Sequence, residues 1–252
     1  MVTARRARVP IIAAATLVTL IFVLIGCYKA MTSRTWQLTG HLVSDLATDD
    51  KVVALTFDDG PTPADLDAIL APLRERGVPA TFFVNGSALS RAPEAGERLV
   101  AQGHELANHT WDHRRMIFVS EQEIERQLVP TDDRIRAAGQ PGSPLFRPPY
   151  GDKLVGLPRY LAAHDRTTVM WDVAVEDFSG DAQSTQEITR ATVDQTRPGS
   201  IILLLPWNVR TATQQAIGPI VDELRARGYR FVTVSQALGR AVGSAATSEE
   251  AK

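Results

Sequence analysis

Asp58 and Asp59 stand side by side after an apolar run, and two histidines, His109 and His113, follow further on as HTWDH. On an extended backbone neighbouring side chains point to opposite sides, so adjacent carboxylates at a strand end can take two different jobs. The i, i+4 spacing of the imidazoles brings them to one side of a single helical turn or a tight loop. Two imidazoles and one carboxylate make a three-ligand set with an open position. Such a set suits Zn²⁺, and other divalent transition ions would also bind it. A metal held in this way polarises an amide carbonyl and lowers the pKa of a bound water, which is hydrolytic chemistry. A third stretch, FRPPYG from Phe146 to Gly151, sets an arginine before two prolines that restrict the backbone. Each piece has a plainer reading alone: a turn signal after a strand, a polar surface pair, one half of a buried ion pair.

The element that must carry the carboxylates is KVVALTFDDGP, Lys51 to Pro61, an apolar and β-branched run that passes directly into acid and a Gly-Pro turn. Similar runs predict strands at 52–57, 80–84, 104–107, 144–147, 167–171, 200–205 and 230–233. Helical patterns lie near 64–76, 89–102, 120–138, 153–163, 184–195, 211–227 and 234–241. This βα alternation is that of an α/β fold with a parallel sheet and outer helices. Periodicity does not separate an open sheet from a closed barrel. Asp58 and Asp59 follow the first strand, His109 and His113 the third and Arg147 the fourth, so all five can converge on one mouth.

Taken in this order, TFDDGP, HTWDH and RPPYG resemble the polysaccharide deacetylases, the family containing the NodB homology domain (carbohydrate esterase family four). The resemblance runs from about Lys51 to Leu238 and includes ATFFVNG, GHELANH and GYRFVTVSQAL. It implies a distorted, incomplete (β/α) barrel with its site at the carboxyl ends of the strands. It further implies Asp59, His109 and His113 as metal ligands and Asp58 as the general base that takes a proton from water. Arg147 would orient Asp58 and favour its charged form. The backbone N–H of Tyr150 would help bind the oxyanion, and Thr110 would brace the histidine loop.

Two places depart from the family pattern. Its late Leu-x-His motif, whose histidine is the general acid, is matched here by Ser200-IILLLP-Trp207, with Leu205 in the histidine's place. The partner motif Asp-x-x-Asp-Trp is matched by Ala174 to Phe178, which makes Asp177 the orienting carboxylate, with Glu176 a rival in register. Of the other histidines, His41, His104 and His164, none is expected to reach the leaving amine. The resemblance therefore implies a metal-dependent hydrolase that deacetylates an amino sugar in an extracytoplasmic polysaccharide. The alternatives are a membrane-tethered pseudoenzyme that binds glycan with little turnover, and a small-ligand or metal-binding lipoprotein.

The rest of the chain is consistent with export. Its 252 residues are 44% hydrophobic and 22% charged, the composition of a globular core, and a net charge of -2 argues against nucleic acid as a partner. Arg5, Arg6 and Arg8 precede an apolar run from Val9 to Gly26, the pattern of a signal or anchor that places the downstream domain outside the cytoplasm. Leu24-Ile25-Gly26-Cys27 resembles a bacterial lipobox. A lipidated Cys27 and an uncleaved anchor helix are both open, and each would tether the domain to a membrane. Cys27 is the single cysteine, so an intramolecular disulfide is excluded. Residues 1–27 thus read as signal or anchor, 28–50 as connector, 51–240 as the deacetylase-like domain and 241–252 as a disordered tail. Within the connector, TWQLTGHLVSDLA is a candidate short strand or helix laid against the body. Nothing in the sequence sets an oligomeric state.

Overall fold

The computed structural model describes residues 3–175 and 184–239, with the side chains of 3–13 and 15 outside that description. Its central strand is β2 (Val52–Asp58), buried along its whole length. Both faces are covered, which is why the sequence there is a continuous apolar run and not an alternation. Val53, Leu55 and Phe57 pack outward with side chains of α2 (Pro63–Arg76) and α8 (Thr211–Ala226). Val52 and Ala54 join Phe83, Met170, Ile201 and Leu203 in a second cluster that fills the inside of the sheet. Thr56 and Asp58 continue this inner face by the two-residue period of a strand.

Among the described residues all the ladders are parallel. β2 pairs with β3 (Thr81–Val84) on one side and β7 (Ile201–Leu204) on the other. β3 continues to β4 (Glu105–Asn108), and β7 to β6 (Val173–Ala174). Phe146 bridges Asn108 of β4 to Thr168 of β5 (Thr168–Val169). β1 (Leu42–Val43) pairs with β5, and β8 (Arg230–Phe231) with the start of β2. Among the described residues no ladder joins β5 to β6, so the ring is open there and the chain crosses the gap at 170–172. This is a distorted, incomplete barrel.

Where elements differ from expectation, proline is the main cause. The segment at 144–147 is a bridge at Phe146 and not a strand, because Pro144, Pro148 and Pro149 lack the N–H a ladder needs. The helix expected at 89–102 is two, α3 (Gly86–Arg91) and α4 (Pro93–Ala101), separated at Ala92 where φ is -141° before Pro93. The strand expected at 167–171 is observed only as β5, and β6 follows beyond it, across the gap in the ring. Outside the sheet, α5 (Glu121–Ala137) is capped by Ser120, whose hydroxyl accepts from the Glu123 N–H. α7 (Thr185–Gln195) starts in a Ser184–Glu187 capping box. α6 (Gly156–Ala163) and α9 (Val234–Ala237) are shorter than their sequence patterns, and residues 240–252 lie outside the described residues.

The N-terminal run forms α1 (Thr3–Thr32), on which Leu17 to Ile25 are exposed, Phe22 by 69%. Among the described residues no helix is long and apolar enough to cross a membrane. The end of α1 is fastened to the barrel by buried Lys153. Its backbone N–H donates to Met31 O at 3.1 Å and its ammonium donates to Ser33 O. Burial pushes this ammonium down to about 8, against the charge of Asp152.

Candidate metal centre

Asp58 is the last residue of β2, and Asp59 turns out of the strand with φ 78°. Gly60 follows because Trp207 lies against it: a Cβ there would stand 2.1 Å from the indole. β4 delivers His109, after which HTWDH runs as a loop and not as a helical turn, with φ 70° at Thr110 and 60° at His113. Left-handed backbone at non-glycine residues costs about 1–3 kcal/mol each, so it must be over-determined by its surroundings. Asn108 Oδ1 accepts from the Thr110 N–H at 2.8 Å, and Thr110 Oγ1 accepts from the His113 N–H at 3.1 Å. Asn108 Nδ2 is held in turn by Leu128 O and Asp132, which pairs with buried Arg166. Asn85 Nδ2 donates to His109 O at 2.8 Å. Thr110 braces the loop as expected. Asn85 and Asn108 had no assigned role, although both lie within the ATFFVNG and GHELANH matches.

Ligand atoms of Asp59, His109 and His113 all lie within 4.8 Å of one another. Asp59 Oδ1 is 3.0 Å from His113 Nε2 and 3.4 Å from His109 Nε2. His109 Nδ1 is 2.7 Å from Arg147 O, a carbonyl that can only accept, so Nδ1 carries the proton. Nε2 of a neutral His109 then presents a lone pair toward a buried carboxylate oxygen, Asp59 Oδ1. A cation between them relieves this, either a second proton on the ring or a metal. Burial opposes charge on Asp59, but hydrogen bonding and charge from both histidines hold its carboxyl well below the usual range. Burial would lower His109, yet Asp58 and Asp59 outweigh it and raise the imidazole. The donor set therefore fits a divalent ion with nitrogen and oxygen ligands.

Arg147 lies inside the barrel, wholly buried. It donates to Asp58 Oδ1 at 2.6 Å, Thr56 Oγ1 at 2.9 Å, Val169 O at 3.2 Å and Met170 O at 2.9 Å. Asp58 Oδ2 is left 3.8 Å from His109 Nε2. Tyr150, with φ 60°, sits on the rim with its ring 4.7 Å from that of His113. Leu205 is buried and lines the same cavity of about 660 Å³ as Asp58, Asp59, His109, His113 and Tyr150. Asp177 and Glu176 lie outside the described residues.

No other histidine lines this cavity. His164 stacks on Tyr160 with ring centroids 4.0 Å apart, and the His41 carbonyl accepts from Thr168. His104 is buried at the opposite end of β3, where Nδ1 accepts from the Ala80 N–H at 3.2 Å. Burial pushes its imidazole down to about 4. Because the folded value lies below the unfolded one, His104 favours the fold fully above about pH 6.5, and this contribution is lost as pH falls toward 4. His104→Asn, which keeps an acceptor, should remove about 2–3 kcal/mol of the wild-type stability loss between about pH 7 and about pH 4.5. Urea unfolding of both chains at the two pH values measures this, and equal losses would show that His104 is not buried neutral.

Residues 45–169 match the sequence model of a family described as polysaccharide deacetylase. Over 184 residues the chain is 32% identical to a peptidoglycan-N-acetylglucosamine deacetylase of Bacillus cereus, covering 72% of this chain and 66% of that one. It is 36% identical over 187 residues to the peptidoglycan-N-acetylmuramic acid deacetylase PdaC of Bacillus subtilis, covering 74% and 38%. A second Bacillus cereus peptidoglycan-N-acetylglucosamine deacetylase is 31% identical over 202 residues, covering 79% and 94%. The chain thus spans just under two thirds of the first, under two fifths of PdaC and nearly all of the third. Among solved structures, the Bc1960 peptidoglycan N-acetylglucosamine deacetylase superposes with a TM-score of 0.74 at 29% identity, over 81% of this chain and 95% of that one. A mutant of BA3943, described as a CE4 family pseudoenzyme with restored enzymatic activity, superposes with a TM-score of 0.72 at 26% identity, over 80% and 72%.

Proposed function

Because this chain belongs to the polysaccharide deacetylase family, we propose that it is a divalent-metal hydrolase that removes an acetyl group from an amino sugar of an extracytoplasmic polysaccharide. The observation that carries this is the convergence of Asp59, His109 and His113 in one cavity with Asp58, whose Oδ1 accepts from buried Arg147. Peptidoglycan is the polysaccharide named for the relatives above. Zn²⁺ suits the two-nitrogen, one-oxygen set best. Arg5, Arg6 and Arg8 before the apolar part of α1, and the exposed side chains on that helix, support a membrane anchor with the barrel outside the cytoplasm.

Held by Asp59, His109 and His113, a divalent ion would polarise the amide carbonyl and acidify a water. Asp58 takes the proton as the water oxygen bonds to the acetyl carbon, and Arg147 fixes the carboxylate for this step. The Tyr150 N–H donates to the developing oxyanion. Breaking the C–N bond then needs a proton on the sugar nitrogen, so that acetate and a free amine leave. Leu205 has none to give, and the proton comes back from Asp58, from Glu176 or Asp177, or from solvent.

This gap favours a second reading, a pseudoenzyme that binds glycan with little turnover; BA3943 is described as a CE4 family pseudoenzyme. Both readings meet one test: acetate release from N-acetylglucosamine oligomers, with and without Zn²⁺, by the wild type and by Leu205→His. A missing general acid costs about 10² to 10⁴ in rate, so a hydrolase lacking only its proton donor should gain at least about tenfold from Leu205→His. The new ring costs about 1–3 kcal/mol if it finds no partner, so folding is checked alongside. A folded, Zn²⁺-loaded Leu205→His chain with no turnover on any acyl sugar would favour the pseudoenzyme.

A further inference from the structure

The segment that leaves α1 forms part of the wall of the metal cavity. Thr32 and Arg34 line it together with Asp58, Asp59 and both candidate histidine ligands. The Lys153 contacts to Met31 and Ser33 hold this segment in place, and Ser33 Oγ accepts from the Trp36 N–H at 3.1 Å to turn it. Arg34 is exposed, rests with its Cζ 5.0 Å from the Trp171 ring centroid and makes no ion pair among the described residues. The Trp171 indole N–H, on the same wall, is buried without an acceptor. An unpaired buried donor is costly, so an acceptor supplied by a ligand would stabilise it. Among the described residues, the acidic ones lining the cavity are Asp58 and Asp59, the first engaged by Arg147 and the second by the histidines. Arg115 and Arg210 complete a rim rich in guanidinium, with Arg115 paired to Asp152.

We propose that Arg34 is a specificity residue that reads an anionic group, a phosphate or a carboxylate, on the acylated amino sugar bound in this cavity. The proposal rests on the deacetylase reading for the sugar and on the cavity wall for the charge. A planar guanidinium forms two parallel hydrogen bonds to either group, and the cation–π contact with Trp171 presets its plane. Lys153 acts as a positioning residue, since it holds the backbone that carries Arg34.

The test measures binding to the full chain in non-ionic detergent by calorimetry, with N-acetylglucosamine, N-acetylglucosamine 1-phosphate and N-acetylmuramic acid as probes. The wild type should bind at least one of the anionic probes about tenfold more tightly than the neutral sugar at low salt, and the preferred probe identifies the anion. High salt should shrink the preference. Arg34→Ala should abolish the preference, costing the anionic probe about tenfold more affinity than the neutral sugar. Arg34→Lys should keep part of it, and Lys153→Met should reduce it without touching a group that meets the ligand. Equal affinity for all three probes in the wild type, or an equal loss for charged and neutral probes in Arg34→Ala, overturns the proposal. Acetate release in the same preparations is scored separately. Its absence from a metal-loaded chain would count against the hydrolase reading, while the binding comparison still decides the role of Arg34.

Discussion

Asp59→Ala should yield a chain that holds no divalent ion and releases acetate about 10³-fold or more slowly than the wild type, since the metal supplies several kcal/mol of transition-state stabilisation. The expectation follows from His109, whose Nδ1 proton is committed to Arg147 O, leaving Nε2 to face Asp59 Oδ1. Without the carboxylate, two neutral imidazoles remain and the charge that draws a cation is gone. Asp59 has a left-handed backbone with φ 78°, so alanine adds strain there. Asp59→Asn is the companion variant, because asparagine tolerates that backbone while removing the charge. Elemental analysis after dialysis should find one ion per wild-type chain and none in either variant. Zn²⁺ at about 100 times its Kd should stabilise the wild type by about 2.7 kcal/mol and the variants by nothing. Full metal content in an Asp59→Ala, His109→Ala double variant would show that the ion is bound elsewhere.

The second large effect belongs to Arg147. Arg147→Met strips the donor from Asp58, Thr56, Val169 O and Met170 O at once, all inside the barrel. Removing one partner of a buried ion pair leaves an uncompensated charge, and the expected loss is about 3–5 kcal/mol. Deacetylation should fall by about 10² to 10⁴ as well, because the base loses its orientation. Arg147→Lys should recover only part of either quantity, since a point ammonium cannot reproduce the fork that spans four acceptors. Asp58→Leu combined with Arg147→Met separates the two effects: stability should return toward the wild type while activity stays lost. Urea midpoints and acetate release on the four chains make the measurement. An Arg147→Met chain with a wild-type midpoint would mean that Asp58 is not left charged and unpaired when Arg147 is gone.

Much of this architecture was legible before any coordinates, and the legible parts share a cause. The strand expected at 52–57 is observed at Val52–Asp58, and α2, α5, α7 and α8 fall within a residue of their expected bounds. In these elements the signal is local. A doubly buried strand reads as an apolar run, and caps, Pro63 at a helix start and Gly77 at its end act within one turn. The convergence of Asp58, Asp59, His109, His113 and Arg147 was also expected, because parallel βα order puts successive strand ends at one mouth.

The remainder depended on groups far apart in the chain. The bridge at Phe146 could not be told from a strand until its neighbours at Asn108 and Thr168 were known. The stretch 167–171 read as one strand, yet only Thr168–Val169 pairs there, and the chain then crosses the open side of the ring to β6. The brace from Arg166 through Asp132 and Asn108 to Thr110 and His113 has no pattern in any short window. Neither does the fastening of Met31 and Ser33 by Lys153, which brings Arg34 to the cavity. The sequence by itself determined which residues could do chemistry and in what order the strands present them, since propensity and side-chain period act over a few residues. Only the tertiary structure decided the tautomer of His109, the four acceptors of Arg147 and the wall beside the metal ligands, because a buried polar group takes its partners from whatever the fold brings within hydrogen-bond reach.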